Sequence, residues 1–268
     1  MELKKYPQKD LMDRAVSKEN LLTRAIGNKI YAKNDFNNWV NTLIKGLPFE
    51  SVLDVCCGTG NQLVLYAALP NMKRIVGIDI SEESLAVAKD RINKTGTEAK
   101  VLLKSKKMED MFLDQELGQS RFELISCFYG LYYSDNIMNT ITEMISHLSA
   151  KGTILIVGPF GKNNSNLFKL LENYFCLPEI VKRSSTTFME AEVRPALETK
   201  CRVVEEHDFL NLICYPNAES FMEYWKASTF YEPKYEVKVK RDIEGHFSKY
   251  REFVIEKHVK AYLGRVYD

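Results

Sequence analysis

The residues best suited to chemistry lie in Val52-Leu53-Asp54-Val55-Cys56-Cys57-Gly58-Thr59-Gly60-Asn61. An apolar run ends there, two glycines flank Thr59, and a helical pattern starts at Asn61. Glycines in such a turn let backbone approach a ligand closely, and the N–H groups that open a helix lack partners within it. Asp54 places a carboxylate just before the turn. A second acid, Asp79, closes the apolar run Ile75-Val76-Gly77-Ile78. A carboxylate can accept from two neighbouring hydroxyls at once, a geometry that a neutral group matches poorly. Two ligand classes suit such a turn. A dinucleotide site wants a third glycine, where this chain has Leu63, and Asp54 would face its pyrophosphate. The other class has no phosphate but carries an ammonium, a carboxylate, a ribose and an adenine. Asp54 then partners the cationic amino group, directly or through water.

Elements that would hold these residues follow from the pattern. Val52–Val55, Ile75–Ile78, Val101–Leu103, Phe122–Cys127 and Thr153–Val157 read as strands that are apolar throughout. Helical spacing lies between them, over Asn61–Leu69, from Ser81 past Ile92, and over Ile137–Leu148. Ser81 is a good N-cap, with Glu82 and Glu83 in the positive first turn. Apolar strands alternating with helices imply a parallel sheet covered on both faces, wound right-handed. Tyr6–Lys45 reads as helical, with Leu21, Leu22, Ala25, Ile26 and Ile30 on one face and Phe36, Trp39, Val40, Leu43 and Ile44 on the next. Towards the C-terminus, Arg202–Cys214 and Phe253–Val266 read as long strands. Leu167–Phe175, Ala218–Thr229 and Val237–Tyr250 read as helices. The expected fold is α/β: a doubly wound, mostly parallel seven-stranded sheet with an N-terminal helical segment and a helical lid inserted near the last two strands. Its parts are a cap (1–46), a ligand-binding core (47–160), and lid helices with a final antiparallel strand pair (161–268).

Composition narrows the function. The chain has 268 residues, 37 Lys and Arg against 36 Asp and Glu, and 45% hydrophobic residues. Near-balanced charge argues against nucleic acid as a partner, and the lysine runs at 104–107 and 234–241 read as solvated. Apolar stretches such as Thr153–Val157 are too short to span a bilayer, so no membrane association is expected. The charged N-terminus does not resemble a signal peptide, which points to the cytoplasm. Six cysteines form no C-x-x-C pair and read as small buried hydrophobes. The histidines at 147, 207, 246 and 258 are isolated in sequence, and no metal site is expected.

Order and spacing together resemble class I S-adenosylmethionine-dependent methyltransferases. Val52–Asn61 is similar to that family's first motif. Asp79 resembles its ribose-binding acid. Lys106–Met111, after the third strand, resembles the adenine-binding stretch, with Lys107 where the family often has an acid. Phe122–Tyr133 and Thr153–Val157 are similar to the fourth and fifth motifs. The resemblance covers roughly Ser51–Pro159. It implies S-adenosyl-L-methionine as cofactor and S-adenosyl-L-homocysteine as product, with Asp54, Cys56, Gly58, Thr59, Gly60, Asn61, Asp79, Ile80, Met108, Glu109 and Phe128 as the cofactor residues. It also implies methyl transfer by in-line displacement to O, N or C, without metal.

The acceptor is less constrained. Tyr129 and Tyr133, after the fourth strand, and Trp225, in an aromatic helix, are the substrate-binding candidates. Tyr129, His207 and Glu192 are conceivable bases, and no catalytic residue is assigned. Ser126-Cys127-Phe128-Tyr129 lacks the prolines of base-directed amino methyltransferases. It also lacks the magnesium-binding acid of catechol-type enzymes. An aromatic lid suits a small molecule, such as a metabolite or a natural-product intermediate, free or tethered to a carrier protein. The alternatives are a tRNA or rRNA methyltransferase and a non-catalytic S-adenosylmethionine-binding partner protein.

Overall fold

Five apolar runs form the parallel part of one mixed sheet. The computed structural model describes residues 18–96 and 100–266, without the side chains of residues 18, 21, 22, 25 and 100. In chain order the elements are α1 (Lys18–Ile30), α2 (Phe36–Ile44), β1 (Ser51–Val55), α3 (Asn61–Ala67), β2 (Arg74–Asp79), α4 (Glu82–Asn93) and β3 (Lys100–Ser105). Then come β4 (Phe122–Phe128), α5 (Ile137–Ser146), β5 (Leu148–Pro159), α6 (Ser165–Leu171), α7 (Glu179–Thr186) and α8 (Arg194–Glu198). The chain closes with β6 (Val203–Tyr215), α9 (Ala218–Ala227), α10 (Glu236–Phe247) and β7 (Phe253–Arg265). The sheet order is β3-β2-β1-β4-β5-β7-β6. β1 to β5 pair in parallel, while β7 is antiparallel to both β5 and β6.

The strand order reverses beside β1, where β2 pairs on one side and β4 on the other. In open α/β sheets a ligand crevice lies outside the carboxyl ends of the strands at such a switch point. Both sheet faces are packed. Leu53, Val55, Ile125, Cys127, Ile154 and Ile156 point to one core. Val52, Leu124, Leu155 and Val157 point to the other, with Leu63 and Tyr66 of α3. The alternation follows from the two-residue period of a strand. A third core joins α6, α9 and α10 to the outer halves of β6 and β7.

Several sequence expectations are corrected. The N-terminal helical reading is interrupted at residues 31–35, where Ala32 bridges to Ile213 of β6. Asp35 then caps α2, its side chain accepting from Asn38 N–H at 3.0 Å. Ile26 and Ile30, expected on a buried face, are 57% and 64% exposed. Residues 6–17 of that reading, and the side chains of Leu21, Leu22 and Ala25, lie outside the described residues. Helix α5 ends at Ser146, because Leu148 already starts β5 and pairs with Phe122. Helices α7 and α8, with the π-helical turn Met189–Val193, fill a segment to which the sequence reading assigned nothing. No helix among the described residues is long and apolar enough to cross a membrane.

Candidate active site

The glycine turn between β1 and α3 is built by backbone geometry. Cys56, Gly58 and Gly60 all have positive φ, at 59°, 51° and 78°. An L side chain is disfavoured there, so Cys56 carries strain and the glycines avoid it. Gly60 has a second constraint: a Cβ on it would lie 2.8 Å from Ala88 Cβ of α4. Leu63 replaces the third glycine of dinucleotide folds without loss of packing. It leans on Gly77 of β2, where an added Cβ would come within 2.8 Å of Leu63 Cδ1.

Two carboxylates flank the turn. Asp79, at the end of β2, accepts from Gly58 N–H at 2.8 Å and from Ser81 N–H at 2.9 Å. It thereby ties the glycine turn to the start of α4. Asp54 is only 1% exposed. Its Oδ1 accepts from Ser126 Oγ of β4 at 2.7 Å, while Oδ2 has no hydrogen-bond partner. Burial pushes Asp54 up from 3.8 to about 7; the Ser126 hydrogen bond opposes this and the nearby Asp79 charge adds to it. A buried carboxylate oxygen without a partner is costly, and such groups concentrate where a ligand completes them.

The remaining cofactor candidates border the same edge. Thr59 receives Arg91 Nη1 on its carbonyl at 3.1 Å, and Asn61 opens α3. Ile80 is exposed beside Asp79, and Met108 is buried in the loop after β3. Glu109 has another task, since its Oε1 accepts from Asp135 N–H at 3.1 Å. Its carboxylate therefore links two loops at this edge. Cys56 and Cys127 approach one another, and their hydrogen bond together with burial pushes the Cys56 thiol up. Among the described residues no group of three or more His, Cys, Asp or Glu could hold a metal ion.

The substrate candidates separate. Tyr129 follows β4 with φ at 55°, and its N–H donates to Val157 O at 2.9 Å. A non-glycine residue held there is a feature of ligand sites and switches. Its ring joins Phe36 at 6.0 Å, and Phe36 reaches Phe128 at 6.5 Å. Tyr133 stands with Tyr132 at 4.6 Å, on the short 3₁₀ turn Leu131–Tyr133. Trp225 does not join them. It is 0% exposed in the third core, 5.0 Å from Tyr231, so it builds the lid's interior and its assignment to substrate is corrected. Of the conceivable bases, Glu192 pairs with Arg183 at 2.9 Å and His207 sits on β6 beside Glu205 at 3.7 Å.

Sequence reasoning missed two contributors. Ser126, 72 residues from Asp54, partners it across the sheet. Helix α1 packs against both α4 and α9 and brings the Arg24 charge within electrostatic reach of Tyr224, Tyr133 and Tyr132. Neither contact leaves a local signal in the sequence.

The methyltransferase domain family matches residues 49–212, more than half of the chain. The protein belongs to that family. Among curated relatives, a demethylmenaquinone methyltransferase of Leptospira interrogans is 28% identical over 143 residues, 48% of this chain and 56% of that protein. One from Bacillus cytotoxicus is 29% identical over 109 residues, 40% of this chain and 44% of that protein. The chain spans about half the length of the curated relatives it matches. A solved candidate methyltransferase from Bacillus halodurans has a TM-score of 0.59 at 16% identity, covering 88% of this chain and 100% of that one. The plantazolicin methyltransferase BpumL, solved with SAH and a desmethyl substrate analogue, has a TM-score of 0.51 at 14% identity, covering 96% and 95%. These two structures share the fold with this methyltransferase-family chain.

Proposed function

We propose that the protein binds S-adenosyl-L-methionine at the β1–α3 turn and transfers its methyl group to a small-molecule acceptor by in-line displacement. The observation that carries this is Asp54 Oδ2, buried and without a partner beside a positive-φ glycine turn. The residues present fit the cofactor. Asp54 would meet its ammonium, and Asp79 would meet its ribose hydroxyls. Ile80 and Met108 would flank the adenine. When bound, the cofactor supplies an electrophilic methyl group on a sulfonium.

The chain's residues then have defined tasks. The glycine turn and Asp79 hold the ligand against the strand ends, so that reaction becomes a matter of proximity and alignment. Phe36, Phe128 and Tyr129 give the edge an aromatic wall that excludes water. Burial pushes the Tyr132 and Tyr133 phenols up, so both stay protonated near neutral pH and act as hydrogen-bond donors. A small acceptor, here taken as free or tethered to a carrier protein, is supported as to size by the names of two relatives, a demethylmenaquinone methyltransferase and a plantazolicin methyltransferase.

Thermal unfolding with S-adenosylmethionine, S-adenosylhomocysteine and NAD in parallel tests the reading. A ligand at 100 times its Kd stabilises by about 2.7 kcal/mol, a rise of several degrees. The two sulfur ligands should raise Tm and NAD should not. A rise with NAD alone, or with none, would overturn the proposal.

A further inference from the structure

A polar pair interrupts an apolar row of the sheet just before the glycine turn. Asp54 stands in register with Gly77 of β2 on one side and with Ser126 of β4 on the other. Gly77 pairs on with Leu103 of β3, and Ser126 with Leu155 of β5. Across five strands the row therefore reads Leu103, Gly77, Asp54, Ser126, Leu155. Neighbours in such a row share one face of the sheet. The space over Gly77 is taken by apolar and thiol groups. A Cβ added there would meet Leu63 Cδ1 at 2.8 Å, Cys57 Sγ at 2.9 Å and Leu103 Cδ2 at 3.0 Å. Ser126 is the polar neighbour that remains.

Ser126 is fully buried, and a buried hydroxyl needs a partner. It gives its one O–H to Asp54 Oδ1 at 2.7 Å, the length of a hydrogen bond to a charged oxygen. The bond fixes the plane of the Asp54 carboxyl. The last torsion of an aspartate is broad and two-fold, so an unheld carboxyl would turn and offer either oxygen. Held by Oδ1, it leaves Oδ2 alone without a partner. Packing does not call for the pair, since two apolar side chains would fill the row without burying a charge. The other titratable groups facing Asp54 are Asp79 of β2, Cys57 of the turn and Tyr66 of α3. Burial pushes the Cys57 thiol and the Tyr66 phenol well up, so both are neutral where Asp54 titrates. Burial and the Asp79 charge oppose ionisation of Asp54, and the Ser126 hydroxyl favours it.

We propose that Ser126 is a positioning residue of the cofactor site: it holds Asp54 by Oδ1, so that Oδ2 alone is presented to an incoming ammonium. The inference rests on the proposed function, because that ammonium is the one on S-adenosyl-L-methionine or its product. Ser126 acts through Asp54 and does not touch the ligand. Its removal leaves the carboxyl loose and the charged form less favoured, so Asp54 ionises at a higher pH. Affinity for an ammonium ligand then fades at a higher pH than in the wild type.

Calorimetric titration of the full chain with S-adenosylhomocysteine from pH 6 to pH 8.5 tests this. Wild-type protein that binds at no pH refutes the proposed function, and the inference falls with it. Where the wild type binds, that reading stands and the variants decide on Ser126 alone. Ser126→Ala should move the acid limb of the affinity up by about one pH unit, the worth of one hydrogen bond to a charged group. Its loss of affinity should be about fivefold at pH 6 and about twofold or less at pH 8.5. Ser126→Thr, which keeps the hydroxyl, should return the limb towards its wild-type position. Should Ser126→Ala fail to fold, Ser126→Cys, whose thiol donates only weakly, should show the same displacement in smaller measure. A wild-type affinity that is flat across this range, or a limb that stays put in the folded variant, would overturn the inference. So would a loss that is equal at every pH, or a folded threonine variant that behaves as the alanine one does, since Ser126 would then only fill space.

Discussion

Replacing Asp54 with asparagine should make the ligand-free protein more stable and the cofactor site worse. The substitution keeps size and the oxygen that accepts from Ser126, but removes a charge that is 99% hidden from solvent and half unpartnered. The magnitude follows from linkage. A folded-state value of about 7 against the ordinary 3.8 means that ionised Asp54 destabilises the fold by about 4 kcal/mol. The sign is opposite to that of a paired carboxylate. Between pH 4 and 7 the folded state keeps a proton that the unfolded state has lost, so this group's contribution falls as pH rises. The penalty is absent below about pH 4 and complete above about pH 7. At pH 8 the variant should therefore melt on the order of 5–10 °C above the wild type, with the gap closing towards pH 4. Cofactor binding should respond in reverse. S-adenosylhomocysteine should bind the variant about 10- to 100-fold more weakly at pH 8, the loss of a charged hydrogen bond. Wild-type affinity should decline below pH 7 as Asp54 protonates, and the variant's should not. Melting scans and calorimetric titrations at four pH values read both effects. A Tm difference that is constant across pH, or a variant that is less stable at pH 8 than the wild type, would refute the reasoning.

Three further outcomes are expected. Asp79→Ala removes the acceptor of Gly58 and Ser81 and the partner of the ribose, and should weaken S-adenosylhomocysteine by about 1.5–3 kcal/mol in calorimetry. Gly60→Ala puts a Cβ 2.8 Å from Ala88 at a φ of 78°, and should lower stability by about 1–3 kcal/mol in urea unfolding. Tyr133→Ala should reduce acceptor affinity more than cofactor affinity, since Tyr133 stands with Tyr132 on the 3₁₀ turn after β4; equal losses in paired titrations would contradict that placement.

What could be read from the chain alone was what is local. Strand β1, the glycine turn and Ser81 form one continuous signature, because strand, turn and cap each use neighbouring residues. Ser81 Oγ indeed accepts from Ser84 N–H at 3.2 Å. Strands β6 and β7 were read as long strands, although the expected ends differ by a residue. The misses are of two kinds. Helices α7 and α8, with the π-helical turn Met189–Val193 between them, were not read from the sequence at all. Residues that meet only in space left no trace: Ser126 on Asp54, and Lys257 on Asn164 at a separation of 93. Trp225 shows the opposite error. An aromatic stripe at helical spacing signals core packing as readily as a ligand wall, and here it closes the lid's interior.

The central claim is that Asp54 and Asp79 divide one ligand between them. The most direct measurement is a crystal structure of the full chain grown with S-adenosyl-L-homocysteine. The ribose hydroxyls should lie on Asp79, and the amino group should reach Asp54 Oδ2, directly or through one water. A ligand bound elsewhere, or one turned so that neither carboxylate is engaged, would contradict the account.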